Sequence, residues 1–186
     1  MFNTILNNLI GAFNMIALIG DICMPKTEAI IVPDDGVGTL RSILGPRGAS
    51  VALGGILKES RKYLRENKVE LGDCFVTGPG RLLKRRVKKV YHVVIKLLKS
   101  DYTSLYYVEK GVDNAFKKVI KDKMQSVAIC GLGIDQGDLD PISVAGLFFN
   151  VCTKYNSKIK IKIIDTNEEF INEINKRLIG TIYEIN

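Results

Sequence analysis

The apolar positions of the chain gather into short runs separated by amphipathic stretches, as expected of strands covered on both faces that alternate with helices. Met15 to Ile19, Ala29 to Val32, Val127 to Cys130 and Ile159 to Ile164 are runs of this kind. Gly72 to Val76 and Val87 to Ile95 add two more strands, the second partly alternating as V-K-K-V-Y-H-V-V-I, with Thr77-Gly78-Pro79-Gly80 as the turn after the first. Stripes at i, i+3, i+4 spacing predict helices over Phe2 to Phe13, about Val51 to Glu66, Glu109 to Lys123 and Ile142 to Tyr155, and a last one carrying Phe170, Ile171, Ile174, Leu178 and Ile179. Pro33-Asp34-Asp35-Gly36 reads as a stop to the second strand, and Thr181 to Ile185 as a short edge strand. Strand, helix and strand succeed one another through the second half, which predicts an α/β fold. No linker or repeat interrupts the pattern, so we expect one domain over residues 15–179, with a helical extension at 1–14 and a tail at 180–186.

Ser126 to Leu147, SVAICGLGIDQGDLDPISVAGL, joins a buried strand, a glycine-bearing loop and a helix in direct succession. Asp140 is placed to cap that helix, and Pro141 suits its first position because the N–H it lacks would go unpaired there. Such a loop offers backbone N–H groups to anions beyond the carboxyl end of a strand, which points to a phosphate-bearing ligand. The spacing G-x-G-x-x-x-G differs by one residue from a dinucleotide fingerprint, and no Lys-Ser or Lys-Thr follows as in a Walker loop. The alternative reading is a plain strand-to-helix turn with a good cap. Gly45-Pro46-Arg47-Gly48 repeats the loop-then-helix arrangement with a cation beside it and Ser50 as a cap.

Composition narrows the partners. At 186 residues, 46% hydrophobic and 25% charged, the chain is of ordinary globular make-up. Its net charge of +7 favours anionic partners. Arg81, Lys84, Arg85, Arg86, Lys88, Lys89, Lys96 and Lys99 lie in one run without an acidic residue; this run reads either as a solvated hairpin edge or as a contact for RNA. Cys23, Cys74, Cys130 and Cys152 are scattered without a C-x-x-C pair, which predicts buried thiols, a reducing, cytoplasmic setting and no metal site. His92 sits inside an apolar strand and reads as a core or hydrogen-bonded histidine, with no Ser, Cys or carboxylate spaced to make it a catalytic base. Polar residues interrupt the apolar start too early for a signal peptide or a membrane span, so no membrane partner is expected.

Gly20-Asp21-Ile22, the strand EAIIV, GDCFVTGPGRL followed by VYHVV, the CGLGIDQG loop and the closing IKIKIIDTNEEFINEI together resemble, in content and order, a macro domain of the ADP-ribose-binding, Appr-1-p processing-like kind, over roughly Met15 to Leu178. The resemblance implies a three-layer α/β/α sandwich with a central mixed sheet. It also implies ADP-ribose, or an ADP-ribosylated substrate, in a cleft at the strand ends, with no cofactor required, and in some members hydrolysis of ADP-ribose from proteins or of its phosphorylated derivative. Carried over residue by residue, Asp21 reads the adenine amino group and Ile22 lines the base pocket. Gly48, Ala49, Ser50 and Val51 form the first phosphate loop; Gly131, Leu132, Gly133, Ile134, Asp135, Gln136 and Gly137 form the second. The family's G-G-G-V is here G-A-S-V, its S-T-G-I-aromatic-G is G-L-G-I-D-Q-G, and its Asn-Ala-Ala-Asn is Val32-Pro33-Asp34-Asp35. Asp35 thus stands at the distal ribose, where it is the candidate catalytic group but cannot donate as an amide does. The rival expectation is an RNA- or poly(A)-binding or scaffold module, with a degenerate cleft and contacts through Arg81, Lys84, Arg85, Arg86, Lys88 and Lys89.

Overall fold

The predicted strands pair into one sheet. A computed structural model describes residues 14–37, 56–97, 103–134 and 138–185, the last four by their backbone only. In chain order it contains β1 (Met15–Ile19), β2 (Ala29–Asp34), α1 (Ile56–Glu66), β3 (Cys74–Thr77), a 3-10 turn (Gly80–Arg85), β4 (Lys89–Val94), α2 (Leu105–Lys121), β5 (Ser126–Ile129), α3 (Pro141–Thr153), β6 (Lys160–Asp165) and α4 (Glu168–Ile185). The sheet order is β1-β6-β5-β2-β4-β3; β3 is antiparallel to β4 and all other pairs are parallel. Every residue of β2 is buried, as a central strand covered on both faces requires.

Alternation along β4 shows what covers each face. His92 faces the α1 side, where it stacks on Phe75 and Phe75 on Tyr63, at centroid separations of 4.6 and 4.7 Å. Tyr91 and Val93 face α2, and Gly111 of α2 comes so close to Val93 that a Cβ there would collide with it. α3 packs between α2 and α4, and α4 lies on β1 and β6. The mixed sheet is therefore the middle of a three-layer α/β/α sandwich, in one domain.

Three sequence expectations change. β2 does not stop at Val32 but runs through Pro33 and Asp34. Asp34 O accepts from Ile95 N on the β4 side, so Pro33, one residue earlier, turns its missing N–H toward β5, whose ladder with β2 has already ended at Ile31. The basic run belongs to an antiparallel pair at the end of the sheet, but its strand is not the outermost: β4 lies between β2 and β3, and the edge is β3. Thr181 to Ile185 continues α4 instead of forming a strand, with Thr181 Oγ1 bonded back to Arg177 O at 3.0 Å; extending an existing helix gains one bond per residue, which outweighs the β preference of the segment. The expected helix at Phe2 to Phe13 and the first turns before Ile56 lie outside the described residues.

Two tyrosines tie α2 down. Tyr91 OH donates to Asp122 Oδ2 at 2.7 Å beside Lys89 Nζ, and Tyr155 OH donates to Asp113 Oδ1 at 2.7 Å beside Lys117 Nζ. The Lys89 bond, with help from Tyr91, draws Asp122 below the usual carboxylate range. At Asp113 burial opposes the shift, but Lys117 and Tyr155 outweigh it. Both carboxyls therefore contribute stability that is present above their ordinary pKa, 3.8, and lost as pH falls through their lower folded values. We expect melting temperature, followed by circular dichroism because the chain has no Trp, to drop on acidification below about pH 4. The Asp113→Asn/Asp122→Asn double variant should show a flatter acid limb; an unchanged limb would remove these clamps from the account.

Candidate functional site

Because β1, β6, β5, β2 and β4 run parallel, their carboxyl ends open on one edge of the sheet. The chain leaves β2 for the β4 side and β5 for the β6 side, so the boundary between β2 and β5 is the switch point where open α/β sheets take ligands. Along this edge stand, in order, Gly20-Asp21 after β1, Asp165 at the end of β6, Cys130-Gly131 after β5, and Asp34-Asp35-Gly36 at the end of β2. Three strand spacings of about 4.8 Å put the first and last mouths roughly 14 Å apart.

At the β1 end Asp21 is exposed, its Oδ1 accepting from Cys23 N at 2.8 Å, and Ile22 and Cys23 turn into the core. Burial, with the Asp21 charge adding to it, pushes the Cys23 thiol up to about 12. All four cysteines are buried and unbridged. In the β5 loop Gly133 has φ +89°, which the other residue types rarely adopt, and Gly133 O accepts from Leu139 N at 3.1 Å. Asp140 caps α3 as predicted, its Oδ2 accepting from Ser143 N and Oγ at 2.8 and 2.7 Å; the Ser143 hydroxyl and N–H hold its carboxyl below the usual range. Two expected ligand contacts change character. Gly131 N–H is already taken by Asp165 Oδ2 at 2.8 Å, and the Leu132 side chain is fully buried in the core. Ile134 is half-buried against that core. Asp135, Gln136 and Gly137, like Gly48, Ala49, Ser50 and Val51, lie outside the described residues.

Asp165 was not singled out by the sequence. Besides holding Gly131, its Oδ1 accepts from Asn167 N and its main-chain O from Gly20 N, so one residue fixes both the β1 and β5 mouths. The only local hint is the D-T-N-E-E-F stretch, in which Asn167 Oδ1 accepts from Phe170 N in the first turn of α4.

At the β2 mouth the two aspartates divide. Asp35 is half-buried, with Oδ1 accepting from Val37 N at 3.0 Å. Asp34 is fully buried: Oδ1 accepts from Gly36 N at 2.9 Å, while Oδ2 meets His92 Nδ1 at 3.2 Å and Ser60 Oγ at 3.4 Å. His92 Nε2 is 2.9 Å from Thr77 Oγ1. His92 bridges Asp34 and Thr77, whose hydroxyl also donates to Gly78 O at 3.2 Å. His92 is thus the hydrogen-bonded core histidine expected, but with a carboxylate partner that the sequence did not reveal. Beside this mouth Gly36-Val37 and the α1 side chains Leu57, Lys58, Arg61, Leu64 and Arg65 line a cleft of about 720 Å³.

The cations of the basic run also divide. Lys88 Nζ pairs with Glu28 Oε1 at 2.6 Å and Lys89 Nζ with Asp122 Oδ2 at 2.9 Å, whereas Arg81, Lys84, Arg85 and Arg86 lie on the 3-10 turn or at its end. Among the described residues no cluster of His, Cys, Asp and Glu is placed to hold a metal ion, and no helix is long and apolar enough to cross a membrane.

A family model described as Macro domain matches residues 50–148, just over half of the chain. No curated protein sequence matches it. Among solved structures, the Oceanobacillus iheyensis macrodomain with MES bound is 15% identical, with 90% of this chain and 92% of that one covered and a TM-score of 0.72. The macrodomain of Mycobacterium tuberculosis DarG is 19% identical, over 82% and 98% of the two chains, with a TM-score of 0.71. The Trypanosoma brucei macrodomain in complex with ADP is 13% identical, over 89% and 69%, with a TM-score of 0.74. At these identities the likeness establishes the fold.

Asp34→Ala leaves the buried His92 Nδ1 and Ser60 Oγ without their shared acceptor, at about 1–3 kcal/mol for each, whereas Asp35→Ala at the mouth should stay within about 1 kcal/mol. Urea unfolding of both variants checks this; equal losses would refute the division of roles between the two aspartates.

Proposed function

The chain belongs to the macro-domain family, and on that premise we propose that it binds ADP-ribose, or a closely related nucleoside diphosphate, in the cleft along the carboxyl edge of its sheet. The observation that carries this reading is the order of groups along that edge. An exposed aspartate stands at one end, the glycine-bearing β5 loop lies between, and a half-buried aspartate stands roughly 14 Å away at the other end. An elongated ligand with a base, a diphosphate and a second sugar matches that sequence of chemistries. Asp21 takes the adenine amino group, with Ile22 beneath the ring. The diphosphate lies over Gly133 and Ile134 and the neighbouring loop positions Asp135 to Gly137, with Gly48 to Val51 as the opposing loop. Gly131 acts behind them, its N–H spent on holding the loop to Asp165.

Asp35 faces the distal ribose, where it accepts hydrogen bonds from hydroxyls. In a hydrolytic cycle it is also the group that orients water toward the anomeric carbon or the attached phosphate. The two other acids of this edge are compatible with a diphosphate because their oxygens are occupied by protein donors: Asp34 by Gly36 N–H and His92, Asp165 by the N–H groups of Gly131 and Asn167.

Calorimetric titration with ADP-ribose, and with AMP under the same salt, tests the reading. We expect one-to-one saturable binding of ADP-ribose, tighter than AMP, and at least tenfold weaker binding by Asp21→Ala, about 1.4 kcal/mol or more. Absence of saturable ADP-ribose binding would overturn it. If hydrolysis of an ADP-ribosylated protein is measurable, Asp35→Ala should abolish turnover at unchanged melting temperature; retained turnover would remove Asp35 from the catalytic role.

A further inference from the structure

The cleft makes no use of the 3-10 turn that links β3 to β4. This turn lies at the amino ends of the parallel strands, on the opposite edge of the sheet from the ligand mouths: Lys88 N, just after it, bonds Glu28 O just before β2. Arg81, Lys84, Arg85 and Arg86 fall on it or at its end, and none of them makes an ion pair among the described residues, although Lys88 and Lys89 immediately beyond are both paired. Leu82 anchors the turn at 3% exposure, while Leu83, in the midst of the cations, is 64% exposed. Arg86 holds the turn's end at φ 72°, a left-handed conformation in which glycine would be less strained, so a cation stands where backbone chemistry favours glycine. At about 2 Å rise per residue, Arg81 and Arg86 are about 10 Å apart along the turn.

We propose that this turn is a second, separate binding surface, in which Arg81, Lys84, Arg85 and Arg86 take the phosphodiester backbone of a nucleic-acid strand while Leu83 offers an apolar face to its sugars or bases. Arginine forks match phosphate oxygens bidentately. Ten ångström spans about three rises of ~3.4 Å per nucleotide, and therefore four successive phosphates. An acidic protein segment would satisfy the charge, but a run of Asp or Glu brings no apolar sugar or base face to the exposed Leu83.

The test uses the full chain and a fluorescein-labelled 20-nucleotide poly(A) strand, with binding read by anisotropy between 50 and 200 mM salt. Four phosphate contacts give a slope of log K against log salt near −3, or about 50-fold weaker binding over that range. The variant Arg81→Gln/Lys84→Gln/Arg85→Gln/Arg86→Gly should bind at least tenfold more weakly with a flatter slope. Lys88→Gln/Lys89→Gln, which removes only paired cations, should stay within about threefold by the same count of phosphate contacts. Arg86→Gly alone separates binding from folding: it should weaken binding while leaving the melting temperature equal or higher, because it relieves the left-handed arginine. Saturating ADP-ribose should not displace the strand, so this result stands apart from the fate of the cleft. The proposal is overturned if the wild type does not bind the strand at 50 mM salt, if the quadruple variant binds as the wild type does, or if the paired-lysine variant loses as much. Displacement by ADP-ribose would place the strand in the cleft, and displacement by poly-glutamate at equal or lower concentration would assign the turn to an acidic protein partner; either also overturns it.

Discussion

The buried carboxylate of Asp34 is the constraint around which the β2 end of this domain is built. A charge with no exposure must find its hydrogen bonds inside the protein. Asp34 finds them on four sides of the chain: its own turn at Gly36, α1 at Ser60, β4 at His92 and, through His92, the edge strand at Thr77. Asp34, Ser60 and His92 are fully buried, and Phe75 and Tyr63 stack in turn on the His92 ring. A shift of β4 against β2, or a lift of α1, would leave a buried donor or acceptor unmet, so register and helix position are fixed by polar satisfaction as well as by packing.

That network faces inward, and its effect at the surface is to hold still the turn that carries Asp35. The opposite end of the ligand edge is held by similar means. Asp165 binds the main chain of Gly131 and, through its own carbonyl, that of Gly20, so the loops after β1 and β5 are referred to one rigid strand between them. In both places an acid near a proposed phosphate site is occupied by N–H groups of the protein. This resolves the apparent conflict between an acidic edge and an anionic ligand: much of the negative charge along the mouths is already met by oriented backbone dipoles.

The two edges of the sheet therefore differ in kind. The carboxyl edge is built from strand ends, turns and internally bonded aspartates, suited to one elongated small ligand held in a fixed pose. The amino edge carries three arginines and a lysine, without an ion pair among the described residues, on a short exposed turn suited to salt-dependent attraction over a longer and less selective contact. Nothing in the fold makes these exclusive, since α1, β2 and β4 lie between them.

The sequence by itself determined the elements and their local ends. Continuous apolar runs marked the strands, 3.6-residue stripes marked the helices, and Asp140-Pro141 marked the start of α3, because each depends only on neighbours a few residues apart. The Gly-Asp-Ile stretch and the glycine loop were likewise visible as local patterns. Tertiary structure alone decided which aspartate is buried. Asp34 and Asp35 are adjacent and chemically identical, and only the pleat of β2 sends one to His92, 58 residues away, and the other to the mouth. Pro33 could enter a central strand only because the β5 ladder stops short of it, Lys88 and Lys89 were claimed by Glu28 and Asp122, and the end of α4 was set by a helix already under way. Each of these was illegible for the same physical reason: the partner that settles it is distant in sequence and becomes a neighbour only when the sheet is assembled.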